Sequence, residues 1–441
     1  MRHDKISKTV YYDNAVVKFF DIPIFYSPKL THPDPSVDRR SGFLIPSFTN
    51  SRNLGSGIRA PYFYAINKDK DFTLTPRLYA SEHPLYLGEY RQVFEKSNLI
   101  LDMGYSKGYK TTGAKKTAGE KSHFFTKFIK IFEGEDNSVS SLELTTQELS
   151  NDKYLKLYKI NSSLVESEVD ELENSLKFIH ENDNLFLGFE ASAFETLKDK
   201  YNDKYEYILP DVTLDKNLLS SDKYGNLDLS SNLKVHNYDT NKVSKYIVNN
   251  IDWKYKENNF LSGLNGKLMA KLKNVNYEAN NVPSLKPGQT NEVYGGIGYL
   301  LGLDLIKKTN NLASHFLTPK VFFRYAPDHM KKEKRDVRVS ASSLYKMDRI
   351  NTYDNFEGGA STTVGFDYEL KHSSNRNFKF EGGQVINQKN NKNKPDSSSL
   401  NSKLSDFVGT ATLNINDKTN LVYDFSIDQN YKDVPYNEIG A

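Results

Sequence analysis

The chain has 441 residues, and its 59 Lys and Arg against 56 Asp and Glu leave a net charge of +3, which gives no electrostatic case for nucleic acid. It has no cysteine, which excludes disulfides, thiolate metal sites and a cysteine nucleophile, and its nine histidines are scattered without metal-ligand spacing. No apolar run reaches the ~18 residues of a membrane helix, the N-terminus lacks the apolar core of a signal peptide, and 29 Tyr and 26 Phe against one Trp bias the chain toward strands.

Within the first thirty residues, Lys8–Tyr12, Ala15–Phe20 and Ile24–Tyr26 read as short strands, too little for a domain and more like the tail of a larger β module. Thr31 to Asp38 is a polar run with two prolines, which continues neither helix nor ladder. Arg39, Arg40, Ser41 and Gly42 then lead into a short apolar strand, Phe43-Leu44-Ile45-Pro46. A second strand, Ile58 to Ile66, also carries an internal proline, Pro61. Proline cannot donate a ladder hydrogen bond, so two neighbouring strands that each hold one predict an edge or a weak seam.

From there strand follows strand with strict alternation. Phe72, Leu74, Pro76 and Leu78 oppose Thr73, Thr75, Arg77 and Tyr79, and Tyr86, Tyr90 and Phe94 oppose Glu89 and Arg91. Val364, Phe366 and Tyr368 oppose Thr363, Gly365 and Asp367 in the same way. Roughly 18–20 segments of ~9–12 residues, apolar and aromatic on one face and polar on the other, predict an all-β fold: a large antiparallel transmembrane β-barrel with a polar lumen. A soluble β-solenoid or string of sandwiches is the competing pattern, but no fixed period supports a solenoid.

Three polar stretches break the series: Ser106–Ser122, Ala326–Asn355 and Gln388–Lys403, the last a flexible loop by composition. Asn151–Tyr158 reads as a short helix or turn. Glu89 and Arg91 are expected to face the lumen and pair there. Arg349, Asp354 and Glu357 are expected to hold the segment after Pro327 in or over the lumen. Ser, His and Asp show no spacing that singles out a catalytic constellation, so no catalytic residue, metal or cofactor is assigned.

The run Arg39-Arg40-Ser41-Gly42-Phe43-Leu44-Ile45-Pro46 resembles the LPS-assembly outer-membrane protein family, LptD. Ile22 to Pro28 lies before it, Pro61 to Ile66 and Asp71 to Pro76 after it, and a second block spans Leu317–Pro319, Tyr325–Pro327, Leu344–Ile350 and Asp354–Gly359. The resemblance is dense in both blocks and thin between 107 and 290. It implies that residues 1–37 are the C-terminal end of a periplasmic β-jellyroll. Residues 38–441 would be the N-terminal and central part of an outer-membrane barrel in a Gram-negative bacterium, with no signal peptide in this chain and the last barrel strands missing.

The implied function is assembly of lipopolysaccharide into the outer leaflet, with no enzymatic step. The lipid passes from jellyroll to barrel and leaves by a lateral seam at the first strands. Pro46 and Pro61 match the seam's weakening prolines, with Phe43 and Ile58 beside them, and Arg39, Arg40, Ser41 and Gly42 mark the jellyroll–barrel junction. The two arginines fit lipid phosphates or, more plainly, a structural ion pair. The implied partners are lipopolysaccharide, a plug lipoprotein, a periplasmic bridge protein and the barrel-assembly machinery, without nucleic acid. A general porin or nutrient-uptake barrel is the alternative, and an outer-membrane hydrolase a distant third.

Overall fold

The computed structural model describes the chain except for residues 1, 7, 20, 21, 35, 38, 114, 115, 136, 199–202, 240, 262, 310–312, 373–375 and 417. Strands β1 (Arg2–Asp4), β2 (Thr9–Phe19) and β3 (Ile22–Pro33) form an antiparallel sheet of their own. The expectation of two strands between Lys8 and Phe20 is corrected, because β2 runs on through Asp13 and Asn14, with Asp13 opposite Lys29 and Ala15 opposite Ser27. Asn14 takes a φ of 53° and accepts a 2.8 Å hydrogen bond from the Tyr26 hydroxyl. Asn tolerates that region, so residues that read as a turn stay in the ladder. Phe20, the expected end of the second strand, lies outside the described residues.

The strands from Gly42 onward make one antiparallel sheet. It opens with β4 (Gly42–Phe43), β5 (Ser47–Ser51), β6 (Gly55–Arg59), β7 (Tyr62–Ala65), β8 (Lys70–Tyr79), β9 (Leu85–Phe94), β10 (Ser97–Ser106), β11 (Lys121–Glu133) and β12 (Val139–Leu149). A short helix, α1 (Tyr154–Tyr158), precedes β13 (Glu171–Asn182), β14 (Leu185–Thr196), β15 (Tyr205–Ser221), β16 (Gly225–Tyr238) and β17 (Lys242–Lys254). Then come β18 (Asn258–Leu261), β19 (Leu264–Asn280), β20 (Gly288–Leu303), β21 (Leu305–Thr309) and β22 (Ala313–Ala326). The last are β23 (Gly359–His372), β24 (Asn377–Asn387), β25 (Phe407–Asn416), β26 (Thr419–Ile427) and β27 (Tyr436–Gly440).

Joining the proline-split halves and the short extensions to the strands they continue gives about 20 barrel strands among the described residues, the upper end of the expected range. Within each unit consecutive strands pair antiparallel, the arrangement of a barrel wall. Several strands also exceed the expected length. β15 and β19 each have 17 residues, more than the ~9–11 a bilayer crossing needs.

The chain forms two compact units, one of Met1–Gly134, Val139–Phe178 and Ser192–Tyr205, the other of Glu135–Ser138, Ile179–Ala191 and Glu206–Ala441. In the first, Leu74 and Leu78 are 40% and 49% exposed while Asp71 and Thr75 are buried. In the second, Val364 is 46% exposed while its neighbour Thr363 is fully buried. Apolar side chains outside and polar ones inside invert the pattern of a soluble sheet and match a strand with hydrocarbon on its outer face.

Each unit's core lies on that inner face. In the first unit Leu85, Phe125 and Leu172 pack with Tyr154, Leu155 and Tyr158 of α1. The His123 Nδ1 lies 3.2 Å from the Tyr154 hydroxyl, and its Nε2 lies 3.3 Å from Asp102. Gly104 leaves the space for this, since a Cβ there would stand 2.4 Å from the His123 ring and 2.7 Å from the Tyr154 hydroxyl. In the second unit Met330, Leu344, Ile350, Val385, Leu400 and Val408 form a buried cluster. The expectation of a flexible loop at Gln388–Lys403 is corrected here. Lys394 and Leu400 are buried, and the Asn387 amide donates to the carbonyls of Leu400 and Ser402.

Candidate functional site: a proline-broken hairpin and two anchored inner segments

The first barrel hairpin is split in both arms. Pro46 stands between β4 and β5, and Pro61 between β6 and β7. β4 pairs with β7 through Phe43 opposite Tyr62, whereas β5 pairs with β6 from Ser47 opposite Arg59. Leu44, Ile45 and Pro46 on one arm therefore face only Pro61 and Ala60 on the other, an extra residue of the kind that makes a β-bulge.

Within this break the Leu44 N–H donates 2.8 Å to the Pro61 carbonyl. The two residues form a hydrogen-bonded pair, which would normally exchange two bonds, but Pro61 has no N–H to return. One strand further on, the Ala60 N–H donates 3.2 Å to the Pro76 carbonyl, and Pro76 likewise cannot reciprocate. Two successive pairs, on the two seams flanking the second arm, thus hold half their ladder bonds. Pro76, read from sequence as an ordinary apolar-face position, is part of the weakness, and its role becomes visible only once Ala60 is placed beside it.

Phe43 and Ile58 share the outer face. Phe43 is 79% exposed and meets the Tyr62 ring edge-on at 5.0 Å, and Ile58 stands opposite both Phe48 and Leu78. Leu44, Ile45 and Phe48 are exposed on the same hairpin.

Of the four residues expected at the junction, Arg39 reaches a buried carboxylate that sequence reasoning did not single out. Asp71, on β8, pairs with Arg39 and accepts a 3.0 Å bond from Arg91 on β9. Arg39 also donates 2.8 Å to the Lys68 carbonyl and lies over the Phe63 ring. Arg40 donates to the Thr9 hydroxyl of β2, and the Ser41 hydroxyl accepts a 2.9 Å bond from the Ala65 N–H. Gly42 opens β4 opposite Phe63. Glu89 lies 3.6 Å from Arg91 and accepts a 2.9 Å bond from Ser163. Arg91 thus bonds Asp71 of the neighbouring strand and lies near Glu89 of its own. Asp71→Asn is expected to loosen Arg39 and Arg91 together. Because both arginines are partly exposed, the cost is about 1–2 kcal/mol. A lower urea midpoint for the folded barrel checks this, and an unchanged one would count against a shared anchor.

In the second unit, residues 327–358 pack on the polar face of β23. Arg349 holds Glu357 through two bonds, 2.8 and 2.6 Å, and donates to Ser361 and Thr363 of β23. Lys394 reaches the same carboxylate at 2.9 Å, and Arg324 of β22 binds the Glu357 and Met347 carbonyls. Asp354 pairs with Arg335, which also binds Glu333. From β19, Lys273 bonds Asp348 and the Asn355 carbonyl.

Burial pushes the Glu357 carboxyl up, but the charges of Arg349, Arg324 and Lys394 hold it well below the usual carboxylate range. Burial likewise raises Glu333, and its bonds to Arg335 bring it down to about 2. Arg349, Asp354 and Glu357 therefore all sit in the anchoring of this segment, while Lys273, Arg324, Glu333 and Lys394 complete it without any signal in local sequence. Among the described residues, no three His, Asp or Glu side chains come together in a metal-binding arrangement.

The family model described as "LPS transport system D", LptD, matches residues 136–441. An LPS-assembly protein LptD from Idiomarina loihiensis is 26% identical over 204 residues, which cover 46% of this chain and 25% of the relative. The relative of the same description from Nitrosococcus oceani is 40% identical over 77 residues, covering 18% of this chain and 10% of its own length. The chain thus matches a quarter or less of the length of these curated relatives. Among solved structures, BamA from Haemophilus ducreyi lacking POTRA domains 1–3 overlays with a TM-score of 0.24 at 8% identity, covering 90% of this chain and 75% of that one. The family match takes in well over half of the chain and includes residues 136–290, most of the stretch where the sequence motifs are thin, and this chain belongs to the LptD family.

Proposed function

We propose that this chain is part of an outer-membrane translocon that assembles lipopolysaccharide into the outer leaflet of a Gram-negative bacterium. Its first hairpin forms one lip of a lateral exit, and residues 1–37 belong to the periplasmic module that delivers the lipid. A plug lipoprotein, a periplasmic bridge protein and the barrel-assembly machinery are the partners this role requires. The observation that carries the reading beyond family membership is the half-bonded ladder at Leu44/Pro61 and Ala60/Pro76. A hairpin that lacks two returning bonds separates at lower cost than an intact one. Exposed Phe43, Leu44, Ile45 and Phe48 give acyl chains an apolar surface at the same place.

A porin needs open water along its polar face. Here α1 in one unit and residues 327–358 in the other pack on that face, which disfavours solute conduction.

A photoactivatable residue at Phe43 or Ile58 of the full-length protein, irradiated in growing cells, is expected to capture lipopolysaccharide. No capture at either position, together with large stable solute conductance in planar bilayers, would replace this reading with the porin.

A further inference from the structure

Ser47, Arg59 and Arg77 form one cross-strand row on β5, β6 and β8. Like charges directly opposite each other destabilise a sheet, and such a pair is normally offset by a carboxylate. Among the described residues none lies within ion-pair distance of either guanidinium. The Asp71 carboxylate is taken by Arg39 and Arg91, and Glu89 by Arg91 and Ser163.

Arg77 is held in place from the other side. Its Nη1 donates to the carbonyls of Tyr158 and Lys159 at the end of α1, at 2.7 and 3.2 Å. Its Nε is buried with no hydrogen-bond partner, an unmet donor that costs stability unless something fills it.

These residues line a cavity of about 300 Å³ that also takes in Thr49, Ser51 and Lys159. That is the lower end of ligand-pocket sizes and fits a phosphorylated sugar rather than a whole lipid. Gly57, two residues before Arg59, leaves room for the lining Tyr79 ring, since a Cβ there would stand 2.9 Å from both that ring and the Leu78 carbonyl.

We propose that Arg59 and Arg77, with Lys159 and the hydroxyls of Ser47 and Thr49, form a binding site for a phosphate monoester. A phosphate offers several acceptor oxygens to planar guanidinium donors and cancels the repulsion within the row. The row also lies beside the broken ladder: Ser47 follows Pro46, Arg77 follows Pro76, and Arg59 precedes Ala60 and Pro61. A phosphate seated there stands at the weakened part of the hairpin. The inference rests on the transport reading only for its source, the phosphorylated headgroup of a glycolipid rather than free phosphate.

The test uses the full-length protein in detergent micelles, titrated by calorimetry and phosphorus NMR with three probes. These are inorganic phosphate, a phosphorylated glucosamine lipid and the same lipid stripped of its phosphates. Arg59→Gln is expected to weaken the phosphorylated lipid about tenfold, while Arg59→Lys retains most of the binding and shows that the fold is intact. Tighter binding of the phosphorylated lipid than of inorganic phosphate marks the headgroup as the source. Equal binding of the two marks free phosphate and still supports the site. Equal binding of phosphorylated and stripped lipid, or affinities untouched by Arg59→Gln and Arg77→Gln, overturns it. Capture at Phe43 without phosphate dependence removes this site and leaves the transport reading, whereas phosphate binding without capture does the reverse.

Discussion

Glu357→Gln is expected to destabilise the segment at 327–358 by about 3–5 kcal/mol, the usual cost of removing one partner from a buried ion pair. The glutamine keeps the shape of the side chain and loses its charge. Arg349 and Lys394 are then left buried against a neutral group, and Arg324 loses the nearby negative charge. Two parallel arginine bonds and one lysine bond converge on this carboxylate. Limited proteolysis within 327–358 and the temperature at which the folded form is lost on gels would both report the change. Protection equal to wild type would show that the apolar cluster of Leu344, Ile350 and Leu400 holds the segment without the charges.

The same network sets an acid limit. The folded-state pKa values of Glu357 and Glu333 lie below their ordinary values. Their contribution is therefore complete above about pH 4.3, the unfolded value. It declines as pH falls toward the folded values, near 2 for Glu333. Acid release of this segment belongs below pH 4, and loss of protection at pH 5–6 would contradict it.

Much of the barrel is legible in the alternation alone, because a sheet with hydrocarbon outside and a polar interior must switch character at every residue. Leu74 and Leu78 against Thr75 and Arg77 state that directly. The broken hairpin is half legible: Pro46 and Pro61 stand out in apolar strands, whereas Pro76 looks like any apolar-face residue until Ala60 is placed against it. The anchors are least legible. Asp71 is one polar residue in an alternating strand, and only strand pairing brings Arg39 and Arg91 to it from opposite directions in sequence. Gln388–Lys403 misleads because Asn, Lys and Ser describe a solvated loop, while its fate is decided by the burial of Leu400 and the reach of Lys394 to Glu357. Long-range charge pairing leaves no periodic trace.

Restoring the missing donors should close what the prolines leave open. In Pro61→Ala the new N–H faces the Leu44 carbonyl, and in Pro76→Ala it faces the Ala60 carbonyl, since the existing bonds already orient each pair. Each completed bond is worth about 1 kcal/mol, so the double substitution stabilises the hairpin by about 2 kcal/mol, roughly thirtyfold in its opening equilibrium. Hydrogen exchange at the Leu44 and Ala60 amides should slow by about that factor, because those amides exchange only when the hairpin opens. If lipid leaves past this hairpin, arrival of newly made lipopolysaccharide at the cell surface should slow with it, with the fold and barrel insertion unchanged. Slower exchange with unaltered export would separate the two effects and place the exit elsewhere on the barrel. Faster exchange would mean that alanine relaxes the arms, and that the fixed φ of proline holds the break in shape.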